Sequence, residues 1–138
     1  MFKNILCLLA LILLVTPMDA HAQEARKRWE RMAQIRQEKF DLVLPEVMKE
    51  NEIDMWIVMM KEGHLDPLYE DLGRGYVGSV GYYIFTDKGN NQIERVALGI
   101  SGYLLEENGA YDLVTSDFDL KAFVHERNPN KIGINMSR

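Results

Sequence analysis

Eleven consecutive uncharged residues, Ile5–Val15 (ILCLLALILLV), follow the lone basic residue Lys3. Pro17 breaks the run, and Ala20-His21-Ala22 supplies a small-residue cleavage site. A short apolar stretch behind one positive charge, closed by an A-x-A site, is the pattern of a secretory signal peptide. The run is too short to cross a bilayer, which takes about 20 residues. Residues 1–22 are therefore expected to be a signal peptide, cleaved between Ala22 and Gln23. The product is expected to be periplasmic or secreted, with no stable membrane insertion after cleavage. An uncleaved anchor is the bland alternative. A lipid-modified signal is disfavoured, because Cys7 sits inside the apolar run rather than at its end.

That feature limits what the remainder can fold into. Removing 22 of the 138 residues leaves 116, enough for one domain over 23–138. Cys7 is the only cysteine and leaves with the signal, so no disulfide, cysteine metal site or cysteine nucleophile remains. The fold must be held by its apolar core alone. Lys3 and Asp19 leave together, so the net charge stays at −5. An acidic chain argues against nucleic-acid binding, which needs a basic patch for phosphates. An apolar fraction of 47% is too high for disorder.

Residues 24–52 read as helix. A charged first half carries Trp29, Met32, Ile35 and Phe40 near helical spacing and looks like a solvated arm. Pro45 lies within the pattern and predicts a kink there or a restart near Asp41; Asn51 marks the end. Asp54–Met60 (DMWIVMM) is a nearly continuous apolar run, short and partly β-branched. It predicts a strand buried on both faces, in a sheet covered by helices, with Trp56 in the core. Residues 61–81 hold five glycines and a proline and read as irregular, a length of loop that is often functional.

A hairpin is expected next: strands 82–86 and 92–100, joined by Asp87-Lys88-Gly89-Asn90-Asn91, residues that tolerate positive φ. Glu94 and Arg95 should point to opposite faces of the second strand. A short strand over 111–115, a helix N-capped by Ser116 and carrying Phe118, Leu120, Phe123 and Val124 inward, a stop at Asn128-Pro129 and a strand over 131–135 complete the reading. The fold class is α/β, a mixed sheet flanked by helices.

Chemistry-bearing motifs are few. There is no Walker A loop, H-E-x-x-H or G-x-S-x-G. The one polar cluster is Glu62-Gly63-His64-Leu65-Asp66, with Glu70 and Asp71 nearby. If extended, residues 62, 64 and 66 share one side and offer carboxylate, imidazole and carboxylate to a divalent metal. A solvated loop explains the same residues, and the composition of loops favours it; no metal ligand and no catalytic residue are assigned. Arg74, between Gly73 and Gly75, has the fork to hold an anion, against the plain reading of a surface arginine. His64 and Arg74 are thus weak binding candidates. His125 reads as a dipole-facing residue in the last turn of its helix. Six tyrosines, at 69, 76, 82, 83, 103 and 111, surround the loop and hairpin as packing or as a sugar or peptide surface. Met55, Met59 and Met60 read as core filling. Asn135-Met136-Ser137 matches a glycosylation acceptor, which matters only in a eukaryotic secretory pathway.

The order of segments resembles the N-terminal domain of the creatinase and Xaa-Pro aminopeptidase family of metallopeptidases, a ribonuclease H-like motif. The resemblance rests on residues 36–60 (RQEKFDLVLPEVMKENEIDMWIVMM), the hairpin strand YYIFTDKG and residues 128–138 (NPNKIGINMSR), and extends over 26–138. It implies an exported, non-catalytic domain with an accessory role in oligomerisation and substrate-access gating. In that family a larger pita-bread domain follows and carries a divalent metal pair. The resemblance therefore implies no metal or other cofactor in this chain, a C-terminal pita-bread domain or neighbouring subunit as partner, and a homo-oligomer in the full-length form. Residues 61–81 would face a neighbouring active site, and the chain would be the front part of a longer protein. A free-standing exported binding module, using the tyrosine-rich hairpin and loop, is the first alternative. A small metallohydrolase using residues 62–71 is the second.

Overall fold

A computed structural model describes residues 21–117 and 119–135. The Ile5–Val15 run, Lys3, Cys7, Phe118 and the last two residues of the Asn135-Met136-Ser137 sequon lie outside the described residues. The chain divides into two units after Met32. In the first, residues 21–32 are helical and almost wholly exposed, with ion pairs one turn apart, Arg26–Glu30 at 2.9 Å and Arg28 with Glu24. That matches the expected charged helix.

The second unit begins with helical residues 33–38, passes through a π-helical turn at Lys39–Val43 and continues as α1, Leu44–Glu50. The wide turn reconciles Pro45 with a continuing helix. Proline lacks an N–H and its ring crowds the preceding turn, so it is tolerated where a new α segment starts. Pro45 occupies that first-turn position. α1 ends at Asn51, as expected.

Five strands form one sheet: β1 Met55–Lys61, β2 Tyr76–Asp87, β3 Ile93–Ser101, β4 Leu113–Thr115 and β5 Ile132–Ile134, in the order β4-β3-β2-β1-β5. β1, β2 and β3 pair antiparallel, while β4 joins β3 and β5 joins β1 in parallel. Helices cover both faces, so the α/β class with a mixed sheet holds. β1 has a core on each side, as its unbroken apolar run requires. Met55 and Ile57 pack with Ile84, Val96 and Leu98 on one face; Val58 and Met60 join Phe40, Leu44, Met48, Tyr83 and Phe85 on the other. Trp56 belongs to the second group but is only partly buried, stacked on Phe85 at 5.3 Å.

Three expectations are corrected. First, residues 61–81 are not irregular throughout. They contain a short helix, α2 (Tyr69–Leu72), and β2 begins at Tyr76. The glycines that disguise the strand are required by crowding. A Cβ at Gly75 or Gly81 would lie 2.5 Å from an Ile100 side-chain carbon, where β2 is bulged between Val77 and Tyr82. Second, Trp56 is not fully enclosed. Third, the helix after β4 is capped by Asp119, not Ser116. Between β3 and β4 stands α3 (Tyr103–Glu107), and after β4 comes α4 (Leu120–Arg127). Asp119 holds an extended backbone and its carboxylate accepts from the Ala122 N–H at 2.9 Å. A cap must stand immediately before the first helical residue, and α4 starts too late for Ser116.

The hairpin turn is as expected, with Gly89, Asn90 and Asn91 all at positive φ. Glu94 and Arg95 do face opposite ways: Glu94 pairs with Arg127 on α4, Arg95 with Asp41 in the π-helical turn. Leu120, Phe123 and Val124 of α4 cover the sheet, and left-handed Asn128 ends that helix before Pro129.

Candidate functional site

The residues expected to carry chemistry are placed apart. Gly63 turns the chain at φ 74°, and Lys61 bridges back to His64. The reversal removes the extended alternation that would align residues 62, 64 and 66. His64 and Glu62 are exposed. Asp66 turns inward: its Oδ1 accepts from the Leu68 N–H at 2.9 Å and its Oδ2 from the Asn135 side-chain amide at 2.7 Å. Among the described residues, no three His, Cys, Asp or Glu side chains come together as a metal site. Arg74 is exposed, with its fork on Glu70 one turn earlier, at 2.8 and 2.7 Å. An anion reaching Arg74 would compete with that carboxylate. His125 is exposed in the last turn of α4.

What the structure does assemble is a cradle around residues 70–75. Five backbone carbonyls there accept hydrogen bonds from four side chains. Arg36 donates Nε to Asp71 at 2.7 Å and Nη2 to Glu70 at 3.2 Å. The Tyr111 hydroxyl donates to Leu72 at 2.6 Å, that of Tyr83 to Gly73 at 2.5 Å, and that of Tyr69 to Gly75. A four-residue helix leaves its last carbonyls without intrahelical partners, and these side chains supply them. Burial raises the Tyr83 and Tyr111 hydroxyls above their ordinary range, so both stay protonated and donate across the physiological range.

Arg36 is the residue that sequence reasoning missed. It sits in the charged helix, yet it is buried. The available signal was its spacing, one turn before Phe40, which also turns inward. The tyrosines divide accordingly. Tyr83 is buried, Tyr69 and Tyr111 are partly buried with their hydroxyls engaged, and Tyr76 and Tyr103 are exposed. Asn135 also works inward. Its amide accepts from the Met59 N–H at 2.8 Å and donates to the Met59 carbonyl at 3.2 Å, standing in for one more residue of the β5–β1 pairing.

Beside the cradle lies an apolar groove of about 310 Å³. Phe40, Leu44, Trp56, Leu68 and Leu72 line it, with the exposed Val43 and Val47 along one side. Lys39 and Asp71 close one rim with an ion pair of 2.9 Å. The groove has room for an apolar side chain and offers almost no polar group to orient it.

No family model, curated protein or solved structure matches this chain.

Proposed function

We propose that the chain is an exported, non-catalytic domain of the creatinase N-terminal kind, an accessory part of an Xaa-Pro aminopeptidase-like metallopeptidase. Its role is assembly and control of access to a neighbouring active site. The carrying observation is the sheet. A β1–β2–β3 meander with β5 returned parallel beside β1, after a crossover through α4, is the mixed arrangement a ribonuclease H-like motif needs.

In this reading the chain itself is a non-catalytic part. The metal pair then belongs to the pita-bread domain, the partner in this reading, with the full-length protein a homo-oligomer. The cradle bears on gating. With five carbonyls pinned, residues 70–75 act as a fixed wall, while exposed Glu62–Leu65 is the part able to meet a neighbour.

The coding sequence after codon 138 tests this reading. A metal-site domain in frame, and a product that cleaves Xaa-Pro peptides, are expected. An immediate stop codon, with no such domain encoded nearby, overturns it. The groove favours a second reading, a free-standing exported binding module that seats an apolar side chain of a peptide.

A further inference from the structure

We infer that the helical arm over residues 23–32 binds an anionic phospholipid surface, lying on it without crossing it. The inference rests on the export reading, in which Gln23 is the first residue of the released product.

Charge is segregated along the chain. Residues 23–32 hold four basic and two acidic side chains, a net charge of +2. Residues 33–138 hold eleven basic and eighteen acidic, a net charge of −7. A basic segment at the head of an acidic protein is drawn to a negative partner. Residues 21–32 form a unit of their own and are helical, exposed at every position but the half-buried Trp29.

The helix sorts these residues by side. At 3.6 residues per turn, Ala25, Trp29 and Met32 share one stripe. Arg26 and Arg28 flank that stripe on either side, and Lys27 and Arg31 lie across the helix from it. Each flanking arginine pairs with an acid one turn away and farther from the stripe, Arg26 with Glu30 at 2.9 Å and Arg28 with Glu24. Exposed pairs of this kind hold their members weakly against a competing phosphate. An apolar stripe with guanidinium shoulders is the form of helix that lies in a membrane interface: the apolar groups enter the headgroup boundary while long basic side chains reach the phosphates. Trp29 suits that depth, because an indole is apolar in body and polar at its N–H. Met32, 44% exposed, otherwise leaves a large apolar side chain in water.

The place of the arm in the chain selects lipid over other acidic partners. Seven residues separate Val15, the end of the apolar run, from Gln23. While the leader is in the bilayer, the arm stands at the surface from which it is released, and phospholipid is the anionic surface at that point. With two large apolar residues in its stripe, the helix is held reversibly and is no anchor.

Flotation of the exported product, residues 23–138, with phospholipid vesicles tests the arm. At low salt, vesicles with about 30% phosphatidylglycerol should carry about tenfold more protein than pure phosphatidylcholine, and about 0.5 M sodium chloride should abolish the difference. Arg26→Gln with Arg28→Gln should remove most of the bound fraction, and Trp29→Ala should lower it. Glu24→Gln with Glu30→Gln should raise it, an increase that nonspecific adsorption or misfolding would not give. All these positions lie on the exposed arm, so the Tm of each variant should match that of the parent. Equal partition onto neutral and anionic vesicles, binding to neither, or no change in the two charge variants overturns the proposal. So does salt-sensitive dimerisation in place of vesicle binding, which makes the acidic surface of a second copy the partner. The vesicle result stands whatever follows codon 138. N-terminal sequencing of the exported product tests the export reading separately, and a product that begins beyond Trp29 overturns the inference through that reading.

Discussion

Replacing Gly73 with alanine tests the cradle at its tightest point. Gly73 follows α2 with φ 105° and ψ 132°, a combination that L-residues strongly avoid. Its carbonyl is the one that Tyr83 holds. A Cβ built there lies 2.8 Å from Leu105 Cδ1 and 3.1 Å from Arg36 Cζ. Leu105 is 1% exposed and cannot swing into solvent; Arg36 can retreat only by releasing the Asp71 and Glu70 carbonyls. The backbone strain costs about 1–3 kcal/mol and the overpacking about 1–3 kcal/mol, so Gly73→Ala should lose about 4 kcal/mol. Gly109 is the control. It also has positive φ, at 60°, but a Cβ there meets nothing within 4 Å. Gly109→Ala should lose only about 1 kcal/mol. Urea unfolding followed by tryptophan fluorescence reads both, as a fall in midpoint at unchanged slope. If Gly73→Ala loses no more than Gly109→Ala, the packing of Arg36 and Leu105 over residue 73 is not as described.

Three further outcomes follow from other parts of the fold. Trp56→Ala should cost about 3 kcal/mol, because the indole is partly exposed yet stacks on Phe85; a loss under about 1 kcal/mol contradicts its place beside the core. The hydrogen bonds from Arg127 hold the Glu94 carboxyl below its ordinary range. A folded-state value depressed in this way adds stability above the unfolded value of 4.5, and that stability is lost as pH falls through the folded value. Melting temperature should therefore drop in acid, and Glu94→Gln should flatten that drop while lowering the neutral plateau; parallel curves for the two proteins refute the pairing. Asn135→Ala should cost about 1–2 kcal/mol and speed hydrogen exchange at the Met59 amide, which its side-chain oxygen holds; unchanged protection there rejects the strand-extending role.

Much of the architecture was legible in local patterns. The seven-residue run at 54–60 required burial on both faces, and β1 has a core on each side. Asn90 and Asn91 announced the hairpin turn, and Asn128-Pro129 the end of α4. The glycines at 75, 78 and 81 misled because glycine ordinarily interrupts a strand, whereas two of these three make room for Ile100. The polar residues misled in the other direction. Arg36 and Asp66 look like solvated charges along the chain, and both bind backbone or side-chain partners far away in sequence, so no local window records them.

The sequence by itself determined the periodicities: a charged helix, a doubly buried strand, a positive-φ hairpin and an α/β order of elements. Each depends on neighbours within a few residues, where sterics and burial act directly on the pattern. The tertiary structure alone decided which polar groups meet. The cradle joins residues 36, 69, 83 and 111 to the turn at 70–75. Such pairings are set by sheet order and strand register. A single hydrogen bond is worth too little to leave a regular trace in sequence, while a buried group without one costs enough that the fold must bring the partners together.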